Sequence, residues 1–316
     1  MSMNALKSTI IGIVAMAAGF GGWQEVSAQS ELPVFQYTVR PTGFGAREEA
    51  FARAYTAEAV DVTSMYWNPA ALSFLRTNAV SVSHLHDWES QGYTEIVATP
   101  IVLSQGNTIG IGASVSHFGY VGTKPVGGAQ FSNFGLDLGY SVNIMPTLSI
   151  GTILSLRYST AAHTSLAAGW VSLGAFYYPS PDISYGLAIH SAGTEMTYSV
   201  FPSGVRLERA PLEQKTVEIG ATMRFPTRGT HPIVTLSMSN QRSFPDNTYR
   251  VMGGFEVAPF DFLALRIGYG GNPSSVAGHY GMGLSFKRFR LDYAVSPSRS
   301  EVRYDTATLS YVFGSK

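Results

Sequence analysis

The stretch Phe131–Ile144, FSNFGLDLGYSVNI, decides the fold. Phe134, Leu136, Leu138, Tyr140, Val142 and Ile144 occupy one parity. Asn133, Gly135, Asp137, Gly139, Ser141 and Asn143 occupy the other. Successive side chains of a strand point to opposite faces, so this segment has an apolar face and a small or polar one. A soluble sandwich turns its polar faces to water, and Lys, Glu, Thr and Gln usually cover them. Gly, Ser and isolated charges suit a crowded interior instead.

The pattern recurs outward from this stretch. Tyr280, Met282, Leu284 and Phe286 oppose Gly281, Gly283, Ser285 and Lys287. Phe289, Leu291, Tyr293 and Val295 oppose Arg290, Asp292 and Ala294. Val217, Ile219, Ala221, Met223 and Phe225 oppose Glu218, Gly220, Thr222 and Arg224. Such segments predict about fourteen strands between residues 78 and 313. Most have the roughly 9–11 residues that a tilted strand needs to cross a bilayer.

The connections predicted between them alternate in length. The short ones are 104–106, 145–146, 179–182, 226–231, 259–260 and 287–288. The longer ones are 86–91, 118–130, 159–167, 191–213, 241–247, 270–278 and 296–305. Short turns on one side and longer loops on the other mark outer-membrane barrels. Aromatic residues near strand ends, among them Tyr93, Tyr158, Trp170, Tyr177, Phe225, Tyr269 and Phe313, resemble interfacial girdles. The expected fold is all-β: a transmembrane antiparallel barrel of about 14 strands, 78–316, with an N-terminal helical hatch in its lumen.

Composition agrees with that reading. Charged residues make up 13% of the 316, about half the share usual in soluble domains. The 21 basic and 21 acidic residues cancel, so no nucleic-acid partner is expected. Cysteine is absent, which excludes disulfides and thiolate metal sites. At the N-terminus, Lys7, the apolar Ile10–Phe20 and the small-residue Val26-Ser27-Ala28 predict a signal peptide over 1–28. No later run is long and apolar enough for a membrane helix, so a membrane protein of this sequence spans as a closed barrel.

Residues 29–77 break the alternation and read as a hatch or plug. Ala46 to Glu58 is rich in Ala, Glu and Arg and predicts a short helix. Asp61 is placed to cap the next turn. Asn68-Pro69 reads as a cap followed by Pro at the first helical position.

These residues carry a resemblance. Gly45-Ala46-Arg47, Ala54-Tyr55-Thr56-Ala57, Asp61 and Trp67-Asn68-Pro69-Ala70-Ala71-Leu72-Ser73 resemble the N-terminal signature of PorV/PorQ-like outer-membrane proteins. That group is similar in turn to the FadL-like transporters. The chain departs from it at Phe51-Ala52-Arg53, where members commonly have Met-Gly-Gly, and at Val60-Asp61, where they often have paired acids. The resemblance implies a hatch motif of Gly45, Arg47, Tyr55, Asp61, Trp67, Asn68 and Pro69 inside a fourteen-stranded barrel. It also implies passive transport of small hydrophobic or amphipathic compounds or, alternatively, an accessory role in type IX-like secretion or surface attachment. The partners expected are outer-membrane lipid and either a hydrophobic small molecule or a secretion-system protein. No cofactor is expected.

Inward parity also collects charge: Asp137, Arg157, Glu218, Arg224, Arg250, Glu256, Arg266, Lys287, Arg290 and Asp292. These are expected to pair with one another and with Arg47, Glu48, Glu49, Arg53 and Glu58 of the hatch, because an unpaired buried charge costs several kcal/mol. His84 and His86 share a face but lack a third metal ligand. Ser116 and His117 face opposite ways, so no nucleophile–base pair is predicted and the chain is not expected to be an enzyme.

Overall fold

Strand pairing turns the period-two pattern into a closed wall. The structure, a computed structural model, describes residues 45–59, 61–88, 92–118, 120–121, 124–125, 131–161, 164–193, 196–200, 207–210, 215–228, 231–244, 247–272, 275–296 and 303–313. The predicted signal peptide, the lead up to residue 44 and parts of the 191–213 loop lie outside the described residues.

The barrel strands are β1 (Asn78–Asp87), β2 (Gly92–Ser104), β3 (Asn107–Phe118), β4 (Phe131–Met145), β5 (Leu148–Ala161), β6 (Thr164–Ser180) and β7 (Ile183–Gly193). They continue as β8 (Lys215–Arg228), β9 (His231–Phe244), β10 (Tyr249–Phe260), β11 (Leu263–Asn272), β12 (Ser275–Phe286), β13 (Phe289–Ser296) and β14 (Tyr304–Phe313). Each pairs antiparallel with its sequence neighbours. β1 closes the ring on β14, from Asn78↔Phe313 to Asp87↔Tyr304. The main sheet has 16 strands. Two of them, Met196–Val200 and Leu207–Ala210, form a side hairpin on β6, which leaves fourteen in the wall.

Parity on β4 is as the sequence implies. Phe134, Leu136, Leu138 and Tyr140 face outward and are exposed, while Asp137 and Ser141 face inward and are buried. The outward set continues round the ring through Leu154, Leu173, Leu187, Ile219, Leu236, Ile267 and Leu291, all exposed. An unbroken apolar belt on a closed barrel is the surface a bilayer requires. Trp170 is an exception to the predicted girdle. It faces inward at 9% exposure, with the Arg157 guanidinium 5.2 Å from its ring centre.

At one end, consecutive strands are joined by two residues each: 105–106, 146–147, 181–182, 229–230, 261–262 and 287–288. Lys287 sits in the last of these turns, exposed, with its Nζ 5.2 Å from the Phe286 ring. It is therefore not the lumenal charge the alternation predicted, because a turn resets parity. At the opposite end, two predicted loops contract. β5 runs to Ala161 and β6 starts at Thr164; β11 runs to Asn272 and β12 starts at Ser275. Ladder hydrogen bonds need only backbone groups, so strands run on past the point where apolar alternation stops.

The lumen holds residues 45–59 and 61–75. A single short helix, α1, covers Ala46–Ala50, and two 3-10 turns cover Val62–Tyr66 and Pro69–Phe74. The longer helix expected to Glu58 is not formed. Ala52 and Arg53 take left-handed φ of 53° and 71° and turn the chain, with Arg53 N donating to Glu48 O at 2.9 Å.

Candidate functional site: the lumenal segment and its wall

Each element of the segment is set by a local device. Gly45 precedes α1 at φ 92°, a conformation that disfavours a side chain; a Cβ there would also strike the Glu48 carboxylate. The Asp61 side chain accepts from Thr63 N at 3.0 Å and caps the first 3-10 turn. Trp67 closes that turn, its N donating to Ser64 O at 3.1 Å. The Asn68 side chain accepts from Ala70 N at 3.1 Å, and Pro69 follows as the first residue of the second turn. Both predicted caps are thus in place.

The turns bury their faces against the wall. Val62, Met65, Leu72 and Leu75 pack on Ala98 of β2 and Ile153 of β5. Ala70 and Ala71 pack on Phe176 of β6. Ala46 and Ala50 pack on Ala294 of β13. Wall glycines make room for this. A Cβ on Gly151 would lie 2.5 Å from Ala70 N, and one on Gly110 2.6 Å from Met65 Sδ. The alternation predicted small lumenal residues, but not that the segment's own backbone occupies the space.

Wall hydroxyls bond to several backbone groups of the segment. Ser141 and Ser149 both donate to Ala70 O, at 2.9 and 2.7 Å. Ser184 donates to Ala57 O at 2.6 Å and Ser237 to Ala54 O at 2.5 Å. Thr308 accepts from Ala46 N at 2.8 Å. Asn68 adds two donations, to Thr56 O at 2.9 Å and to Ala175 O at 3.0 Å. An irregular segment is stable inside a barrel only if such groups are paired. Ser and Thr on a strand are ordinary residues, so sequence alone did not mark these.

The charges form three buried groups. Asp137 and Arg157 pair on the wall through two bonds of 2.9 and 3.1 Å. The second group joins segment to wall. Arg47 binds Glu256 through two bonds, 3.1 and 2.9 Å, and also Glu58 at 3.1 Å and the Tyr55 hydroxyl at 2.9 Å. Glu256 accepts from Arg266 at 2.5 Å, and Asp292 pairs with Arg266 and Arg290 at 2.8 and 2.7 Å. Glu58 also pairs with Arg224, and Glu218 accepts from Thr56. Paired, hydrogen-bonded carboxylates tolerate burial that isolated ones do not.

In the third, higher on the same side, Glu49 pairs with Arg53 at 3.0 Å and with His279 of β12 at 3.1 Å. His279 lies on the inward face of β12, opposite in parity to Tyr280, and is buried; nothing in the local pattern marks it as a partner of the segment. Burial favours a neutral Glu49, but Arg53 and His279 outweigh it and hold the carboxyl well below its ordinary 4.5. Glu48 is the opposite case. Burial, with Asp61 nearby, pushes its carboxyl well above that value, and Thr63 bonds to it.

Below this layer lies a cavity of about 450 Å³ at the short-turn end. Arg47, Glu58, Arg224 and Glu256 line its charged side, and Tyr178, Ile233, Phe260 and Leu263 contribute apolar wall. Its volume is in the range of small-molecule sites.

This architecture has solved counterparts. The chain is similar to the Pseudomonas putida toluene transporter TodX, with a TM-score of 0.61 at 13% identity over 85% of this chain and 96% of that one. It is similar to the CymD monoaromatic hydrocarbon channel, with a TM-score of 0.64 at 11% identity over 86% and 98%. A Pseudomonas aeruginosa FadL homologue gives 0.56 at 11% identity over 85% and 98%. No protein-family profile and no curated protein matches the sequence. The likeness is one of fold, and the fold is that of the FadL-like barrels.

Among the described residues no group of three or more His, Asp or Glu is placed to hold a metal ion. His84 faces outward and meets Glu95 at 2.7 Å, half-exposed. His117 also faces outward, bonded to Ser132 at 2.9 Å, whereas Ser116 is buried against Thr94.

Proposed function

We propose that this protein is an outer-membrane channel for passive transport of small hydrophobic or amphipathic compounds, with residues 45–75 acting as its hatch. One observation carries the reading. A fourteen-strand barrel of the FadL-like fold holds an N-terminal segment across its lumen, above a part-apolar cavity that opens at the short-turn end. The named counterparts are transporters and channels for toluene and monoaromatic hydrocarbons. The belt of outward apolar side chains and the signal peptide predicted over 1–28 support export to the outer membrane, with the short turns periplasmic. The residues Gly45, Arg47, Tyr55, Asp61, Trp67, Asn68 and Pro69 are proposed as the motif that shapes the hatch. Finer placement among PorV/PorQ-like proteins rests on that motif alone.

Uptake tests this reading. Cells with an intact outer membrane that produce the protein should take up labelled toluene, or a labelled medium-chain alkanoate, several-fold faster than cells with an empty vector. Equal rates for both probes reject transport. Stoichiometric co-purification of a partner protein with no uptake would favour the accessory role instead.

A further inference from the structure

The lumenal segment contacts the wall through two kinds of surface. Its backbone is fixed by neutral groups: Ser141, Ser149, Ser184 and Ser237 bond to its carbonyls, and wall glycines leave no slack against it. A Cβ on Gly268 would meet Ala50 O at 2.6 Å, and one on Gly281 would meet Ala50 Cβ at 2.5 Å. Withdrawing the segment would strand many paired backbone groups at once, each costing about 1–3 kcal/mol if left unpaired. Its charged contacts are different. Those among Arg47, Glu58, Glu256 and Arg224 lie at the inner boundary of the cavity, and each of these side chains has a second partner.

Glu58 is shared between Arg47 of the segment and Arg224 of the wall. Glu256 of the wall is shared between Arg47 and Arg266. If the Arg47–Glu256 and Glu58–Arg224 links open, Arg47–Glu58 remains within the segment and Arg266–Glu256 within the wall. No carboxylate loses its last cation. Arg224 keeps the Ser184 hydroxyl at 3.1 Å and the Tyr178 ring at 5.9 Å. For the carboxylates this avoids the uncompensated buried charge that makes breaking most buried pairs costly; Arg224, which gives up its carboxylate, stays at the wall of the cavity.

We propose that the gate of this channel is the side-chain layer Arg47, Glu58, Glu256 and Arg224, which opens by exchanging ion-pair partners while the backbone of the segment stays seated. The inference rests on the transport reading above and locates its moving part. The solute leaves through the cavity below the layer, on the β8–β13 side of the lumen. The opposite side, where Val62–Leu75 packs on β2 to β6, stays closed.

Two experiments with the full-length protein test this. In planar bilayers, Glu256→Gln and Arg224→Gln each remove one cross-link of the layer. Each should raise ion conductance at least threefold over wild type, with heat-modifiable, folded barrel in both cases. The second experiment pins the backbone. A Cβ on Gly270 would lie 3.2 Å from Ala52 Cβ, near the 3.5–4.5 Å of a disulfide, and the protein has no cysteine of its own. The oxidised Ala52→Cys/Gly270→Cys protein should conduct, and take up toluene, at the rate of its reduced form. Unchanged conductance in both glutamine variants, or flux lost on oxidation and regained on reduction, overturns the gate. Failure of the wild type to take up either probe rejects the transport reading separately, because conductance of the glutamine variants still reads the layer.

Discussion

Ala52 and Arg53 hold two consecutive left-handed conformations without glycine. Members of the resembling group commonly have Gly-Gly at this place, so the turn is kept here at a steric cost of about 1–2 kcal/mol per residue. Ala52→Gly should raise the barrel's unfolding free energy by about 1 kcal/mol, measured by denaturant titration in detergent. Arg53→Gly is not equivalent, since it also removes the pair with Glu49. Asn68 carries a cap, a donation to Thr56 O within the segment and a donation to Ala175 O of the wall. Asn68→Ala should therefore cost about 3 kcal/mol, roughly 1 for the cap and 1 for each further bond. A loss under 1 kcal/mol would mean the segment is not seated as described. Glu48 and Glu49 predict opposite pH dependences. Glu49 is depressed, so its stabilisation is present above 4.5 and is lost as pH falls through its lower folded value. Glu48 is raised, so its contribution is full below 4.5 and fades as pH rises through its higher folded value. Glu49→Gln should flatten the acid limb of the stability–pH curve, and Glu48→Gln the alkaline limb; matching curves for wild type and variants would reject both assignments.

At the scale of the element, strand faces are not interchangeable. Leu154 lies on the outward face of β5, exposed at 44%, while its neighbour Ser155 is buried and donates to Asp137. Leu154→Arg puts a charge into the apolar belt and should destabilise by about 2–4 kcal/mol, read from unfolding out of phospholipid vesicles. The strands were legible because period-two patterning survives in each of them. The lengths of β5, β6, β11 and β12 were not, because their ends are held by ladder bonds that leave no apolar signature. The helix of the segment was over-read for a related reason. Ala, Glu and Arg favour a helix from 46 to 58 locally, but contacts of Phe51 with Gly254 and of Ala50 and Ala52 with Gly268 turn the chain after Ala50.

For the whole molecule, the ring is closed by wall-to-wall pairing alone, including β1 with β14. The segment adds contacts but no strand. Deleting residues 43–75 should leave an assembled, heat-modifiable barrel whose conductance rises well above that of wild type. Unchanged conductance would show that these residues do not block the lumen.

The sequence by itself determined the strand count, the inward and outward faces, the two caps at Asp61 and Asn68, and the pairing of inward charge. All of these follow from short-range periodicity or from the cost of burying a charge. Tertiary structure alone decided which charges meet, where strands end, and that wall hydroxyls and glycines form the seat of the segment. Arg47 and Glu256 are 209 residues apart in the chain. Only closure of the barrel brings them within hydrogen-bond distance, and no local pattern records that closure.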